Sequence, residues 1–156
     1  AGAQAYVLFP IDAAVLREQV KGLFARSPLS RVPVKNLAVP AVEVRETETV
    51  SVVATRFAEK NLSGAAVVNG TGRVVGFISS KDILVAYRLR GRPAGEMPVS
   101  NFMARYPITL EEEAKLDTAI ALFVRHGLHA IPIVKGGKPV GVLLRLDALR
   151  AVLAAE

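Results

Sequence analysis

The stretch GFISSKD, Gly76 to Asp82, sets a hydroxyl, Ser79, three residues ahead of a carboxylate, Asp82. They fall where an apolar run gives way to helical periodicity. An ionised carboxylate only accepts hydrogen bonds, whereas a hydroxyl both donates and accepts. At a strand-to-helix junction such residues can cap the first turn of the helix, or they can face a ligand. The frame returns as GVLLRLD, Gly141 to Asp147, with the glycine and aspartate kept and Leu144 in the hydroxyl's place. Catalytic alternatives find little support. The chain has no cysteine, which excludes disulfides, thiolate metal sites and cysteine nucleophiles. The two histidines, His126 and His129, straddle an expected helix end and lack neighbouring carboxylates, so no metal site is expected. GGKP lacks the spacing and the Ser or Thr of a phosphate-binding Walker loop, and GTGRVVG is not followed by a helix as a dinucleotide fingerprint would be. The chain is therefore expected not to be an enzyme.

The returning frame is part of a longer duplication. PVKNL at Pro33–Leu37 recurs as PVSNF at Pro98–Phe102. The next stretch, through Leu84, lies over the one ending at Leu149, with one extra residue before Pro107 and Thr71 dropped from a turn. Each copy reads as a short apolar strand, an acid-rich turn (Glu46 and Glu48; Glu111 to Glu113) and a helix. Val50, Val53, Ala54 and Phe57 carry the apolar spacing of the first helix, and Leu116, Ala119, Ile120 and Phe123 that of the second. Acidic side chains suit helix N-terminal regions, and Asn61 and Gly127 stand where a left-handed residue ends the helix. GAAVV and AIPIV predict buried strands, NGTG and GGK hairpin turns. RVVGFIS and PVGVLLR return as strands into closing helices. The unit is β-α-β-β-α. About 55 residues with one apolar sheet face make a marginal domain, so the copies are expected to pack through their sheets. The predicted fold is α/β (α+β): two pseudo-twofold-related units behind an N-terminal helical leader, with a leader at 1–31 and repeats at 32–92 and 93–156. In the leader, Asp12 could cap a helix to about Arg26, with Leu16, Val20, Leu23 and Phe24 as its stripe.

The 156 residues carry a net charge of +6, which admits nucleic acid, an acidic partner or an anionic ligand as well as simple solubility. The densest basic stretch, RLRGRP at Arg88–Pro93, has no aromatic platform for bases, and nucleic acid is not expected as a partner. No apolar run approaches the roughly 18 to 20 residues of a membrane helix. AGAQAYVLFPID lacks the parts of a secretory signal, so a cytoplasmic location is expected. Absent cysteine and sparse Asn and Gln fit a thermophile.

The unit resembles the cystathionine-β-synthase-type (CBS) domain, and the tandem resembles a Bateman module, over roughly Val32 to Leu153. GFISSKD fits the family frame at Gly76, Ser79 and Asp82; GVLLRLD fits at Gly141 and Asp147 and departs at Leu144. The resemblance implies a regulatory module that binds AMP, ADP or ATP, and less readily S-adenosylmethionine, between its halves, with no cofactor required. Asp82 would hold the ribose hydroxyls and Ser79 would assist, with Val42, Ala65 and Ile78 facing the adenine. His129 would meet phosphate from the opposite repeat, with Ser63 in the equivalent position of the first repeat. The second site would use Asp147 and Lys81 and would be weakened by Leu144. The resemblance also implies a homodimer and a regulated protein in trans. Physically, a fixed carboxylate can accept from both hydroxyls of a ribose diol, and a strand glycine lets a ligand approach the backbone. The competing expectations are a structural, dimerising module with vestigial clefts and a nucleic-acid-associated regulator.

Overall fold

The computed structural model describes residues 31–154; the leader helix expected at Asp12–Arg26 lies outside them. The elements are β1 (Val39–Pro40), β2 (Val44–Arg45), α1 (Val50–Lys60), β3 (Gly64–Val68), β4 (Val74–Ser79) and α2 (Ser80–Arg90). They continue with β5 (Ala104–Arg105), β6 (Leu110–Glu111), α3 (Leu116–His126), β7 (Ala130–Lys135), β8 (Lys138–Leu144) and α4 (Arg145–Ala154). Short 3-10 turns at Val34–Asn36, Arg92–Glu96 and Val99–Asn101 join them. The β-α-β-β-α unit is present twice, as the periodicities predicted. Asn61 and Gly127 both end their helices in the left-handed region, at φ 54° and 62°. The extra residue of the second copy is accommodated at Tyr106, which turns left-handed at φ 50°.

Two four-stranded sheets result, in the orders β2-β3-β4-β5 and β6-β7-β8-β1. In each, the first pair is parallel and the rest antiparallel. The fourth strand of each sheet is exchanged. β1, ahead of the first β-α-β-β-α unit, pairs with β8 of the second unit; β5, ahead of the second unit, pairs with β4 of the first. The cores follow the exchange. Val99 and Met103, from the segment between the two β-α-β-β-α units, are buried with Val44, Val50, Phe57, Val67, Ile78 and Ile83. Val34 is buried with Leu110, Leu116, Phe123, Ile131, Ile133 and Leu143.

Strand alternation assigns the other sheet face. Ala66, Val68, Pro132, Val134 and Val142 are buried yet stand outside both helix-side cores, and β3 lies against β7 and β8. The two sheets therefore pack face to face. Their hairpin ends are clasped: Val74 N donates to Gly137 O at 2.9 Å and Arg73 Nη1 to Gly136 O at 3.2 Å.

The strand glycines serve this exchange. A Cβ on Gly76 would collide with Met103 Sδ and lie 3.0 Å from Ala104 O; one on Gly141 would lie 2.9 Å from Val39 O. The sequence argument reserved that space for a ligand. In the structure the backbone of the exchanged strand occupies it.

Candidate functional site

Each half presents one strand-to-helix junction. In the first, β4 runs directly into α2, and Ser79 is the last strand residue and the helix cap. Asp82 N donates to Ser79 Oγ at 3.1 Å, and Ser79 N donates to Asp82 Oδ2 at 2.9 Å. This reciprocal capping box satisfies two N–H groups that a helix start otherwise leaves without partners. It also fixes both side chains. Asp82 Oδ1 keeps its acceptor capacity and the Ser79 hydroxyl keeps its proton to donate. Both residues are half-buried.

The residues around the box come from β3. Gly64 pairs with Ser79 across the sheet, and Ser63 O accepts from Ser80 N at 2.9 Å. Lys81 stands exposed between Ser80 and Asp82. The second junction repeats the backbone frame: Ala130 pairs with Leu144, and Arg145 N donates to His129 O at 2.9 Å. Its side chains differ. Leu144 offers no cap oxygen, and Asp147 pairs instead with Arg150, 3.3 Å away.

The structure thus gathers Ser63, Ser79, Lys81 and Asp82 at one junction, and His129 and Asp147 at the other. No hydrogen bond among the described residues joins the His129 ring to Ser79 or Asp82. Val42 is half-buried in the loop between β1 and β2. Ala65 and Ile78 are a correction. They are cross-strand partners, 1% and 0% exposed, within the helix-side core. Successive strand residues point to opposite faces, so Ile78 points away from the face that Ser79 occupies. Phe77 shares the Ser79 face, and its ring lies over Gly64, where a Cβ would meet Cζ at 2.5 Å.

Two concavities are lined by the described residues, the first of them adjoining the first junction through Ser63 and Ser80. A groove of about 500 Å³ between α1 and α2 is lined by Phe57, Leu62, Ser63, Ser80, Ile83 and Leu84, among others. A smaller one of about 260 Å³ is lined by Lys35, Pro40, Glu112, Val140 and Gly141, among others. Near the latter, Lys35 pairs with Glu113 and Lys135 with Glu112. Hydrogen bonding between Lys35 and Glu113 raises the lysine's pKa and lowers the carboxyl's. Among the described residues no group of three His, Cys, Asp or Glu side chains could hold a metal ion, and no helix is long and apolar enough to cross a membrane.

The duplicated unit, the exchanged edge strands and the matched junctions fit one family, and a model of the CBS domain matches residues 29–89 and 99–154. The chain belongs to the CBS-domain family, as a tandem pair. A curated relative, the A-adding tRNA nucleotidyltransferase of Aquifex aeolicus, is 29% identical over 142 residues, 91% of this chain. The chain spans 17%, 54% and 66% of the lengths of the first three curated relatives it matches. Among solved structures, the CBS domain of a CBS-domain-containing membrane protein from Sphaerobacter thermophilus superposes with a TM-score of 0.70 at 28% identity, covering 87% of this chain and 96% of that one. CBSX2 of Arabidopsis thaliana, in complex with AMP, superposes at 0.68 with 22% identity, covering 78% and 96%. The CBS domain pair of protein MJ0100, with 5′-methylthioadenosine and S-adenosyl-L-methionine, superposes at 0.71 with 20% identity, covering 80% and 98%.

Proposed function

We propose that this CBS pair is a non-catalytic regulatory module that binds an adenine nucleotide, AMP, ADP or ATP, between its halves, with the first junction as the main site. The observation that carries this reading is the capping box. It immobilises the Asp82 carboxylate through Oδ2 and leaves Oδ1 to accept from a ribose diol. The AMP complex of CBSX2 and the adenosine-ligand complex of MJ0100 support the ligand class. The second junction, with Leu144 and an Asp147 drawn to Arg150, is the weaker site. S-adenosylmethionine is the less favoured ligand.

The test is calorimetric titration of AMP, then ATP and S-adenosylmethionine, into the protein and into Asp82→Asn. Asparagine keeps one oxygen for the Ser79 N–H, so the cap survives while the charge is lost. Saturable AMP or ATP binding that weakens at least tenfold in Asp82→Asn, with unliganded thermal stability nearly unchanged, is the expected result. Binding that survives Asp82→Asn and falls in Asp147→Asn would move the site to the second junction. No heat with any adenosine ligand would overturn the sensor reading.

One observation favours a second role. α2 exposes Leu84 and Leu89, and α4 exposes Leu146, Leu149 and Leu153. Such apolar helix faces suit a second copy of the chain, so we propose a homodimer, detectable by sedimentation equilibrium, whose contacts a bound nucleotide would alter and a regulated protein in trans would read.

A further inference from the structure

The two halves are built alike where an exchanged strand passes a strand glycine, and they fill that place differently. In the first half it is packed and bridged. Met103 is 8% exposed and belongs to the first core. Its Sδ stands against Gly76, where a Cβ would collide with it. Arg105 pairs with Gly76 across the sheet. Its Nη2 donates to Ser100 O at 3.2 Å, so the side chain spans from the exchanged strand to the 3-10 turn Val99–Asn101.

In the second half, PVKNLAVP at Pro33–Pro40 lies over PVSNFMAR at Pro98–Arg105. Ala38 stands in place of Met103, Pro40 in place of Arg105 and Lys35 in place of Ser100. The backbone frame is kept: Pro40 pairs with Gly141, and a Cβ on Gly141 would lie 3.1 Å from Ala38 Cβ. The filling side chain is thus cut to a methyl group, and proline cannot make the arginine's bridge. The cavity of about 260 Å³ opens at this place, lined by Lys35, Ala38, Pro40, Glu112, Ile133 and Gly141, among others. Ile133 and Gly141 are buried and Ala38 is half-buried, which gives an apolar floor. Lys35 and Glu112 bring one cation and one anion to it. Their backbones are tied, with Lys35 N donating to Glu112 O at 3.3 Å and Val34 N to Ala114 O at 2.7 Å.

Both charges have outward partners. Lys35 pairs with Glu113, and Glu112 Oε1 lies 3.5 Å from Lys135 Nζ. An ammonium has three donors and a carboxylate two acceptor oxygens, so each keeps capacity for a second partner. Drug-sized ligands take roughly 300 to 1,000 Å³, so this cavity suits a smaller molecule. Floor atoms without neighbours forfeit dispersion contacts, and a ligand tail shaped like the missing side chain would restore them.

We propose that this cavity binds a free α-amino acid with an unbranched apolar side chain. The tail takes the place that Met103 fills in the first half, the carboxylate meets Lys35 and the ammonium meets Glu112. The cavity shares no lining residue with either strand-to-helix junction, so the proposal does not rest on the nucleotide reading.

Calorimetric titration with L-methionine and with L-norleucine tests it. Both should bind saturably and raise the melting temperature. L-alanine, which lacks the tail, should bind at least tenfold more weakly. So should L-methioninamide and N-acetyl-L-methionine, each of which lacks one of the two charges. Ala38→Met restores the filler of the first half. It should melt no lower than the parent and bind L-methionine at least tenfold more weakly, with its AMP titration unchanged from the parent's. Lys35→Ser, which places the first half's residue on the exposed rim, should also weaken L-methionine at least tenfold. Neither saturable heat nor a thermal shift with the two amino acids would overturn the proposal. Undiminished binding in Ala38→Met or Lys35→Ser would overturn it too, as would equal affinity for either blocked form.

Discussion

Val99→Ala tests whether the exchanged segments make the two repeats one folding unit. Val99 lies between the two β-α-β-β-α units, is fully buried, and packs in the first core rather than the second. Removing its two methyl groups forfeits about 0.8 kcal/mol each in transfer free energy. If about 40 Å³ of void persists at roughly 24 cal/mol per Å³, the cavity adds about 1 kcal/mol. The total is about 2.5 kcal/mol, which at an m-value of about 2 kcal/mol/M lowers the urea midpoint by about 1.2 M. The decisive readout is cooperativity. β5 and the Val99 turn bind the linker to the first half, and β1 with Val34 binds the entering chain to the second. Urea unfolding followed by circular dichroism should stay a single transition. Hydrogen exchange in β7, in the other half, should accelerate as much as in β3. Two transitions, or unchanged exchange in β7, would refute the interlocked unit.

Gly76→Val should destabilise by about 1 to 3 kcal/mol through overpacking, because its Cβ meets Met103 Sδ and Ala104 O; a melting temperature equal to the parent's would contradict the exchange geometry. Ser79→Ala should cost about 1 kcal/mol by opening the capping box, measured by urea unfolding; no loss of stability would show that the box contributes nothing. Burial alone would raise the Glu48 carboxyl, but hydrogen bonds from Arg56 and the Arg45 N–H outweigh it and hold the pKa below its ordinary 4.5. The folded pKa is depressed, so this stabilisation is present above the unfolded value and is lost as pH falls through the folded one. Stability of the parent should drop below about pH 4.5 more steeply than that of Glu48→Gln, and parallel stability–pH curves would reject the linkage.

Much of the fold was legible because each repeat states its own period. The helix spacings of Val50–Phe57 and Leu116–Phe123, the left-handed ends at Asn61 and Gly127, and the glycine hairpins are local signals, and the structure follows them. The strand exchange was not legible. Its strands, Val39–Pro40 and Ala104–Arg105, are two residues long, too short to show a period, and their partners lie in the opposite repeat. The strand glycines were misread for the same reason: a glycine reports a close approach, but not which backbone approaches. At the site, Ser79 and Asp82 were found as a pair because capping and ligand contact ask for the same residue types. Ala65 and Ile78 were misplaced because apolar character was counted without strand parity, although parity was available in the register of Ile78 with Ser79.

The interlock constrains how ligand binding could be transmitted. Two halves that share edge strands, and whose hairpins are clasped at Gly136 and Gly137, do not swing apart as separate bodies without breaking both sheets. The elements that start at the proposed site and end away from it are α2 and α4. α2 begins at the capping box and carries exposed Leu84 and Leu89 along 11 residues, a rod of about 16 Å. A ligand that tightened or opened the box would tilt this helix from its first turn and move its apolar face as a rigid piece. α4 lacks the box, so ligand at its end has no comparable grip on the first turn. The lost hydroxyl at Leu144 therefore matters beyond one hydrogen bond: it makes the two helices respond differently to the same ligand. A ligand shifts only those equilibria whose states it binds with different affinity, and the junction with the box is the one where such a difference can reach a surface.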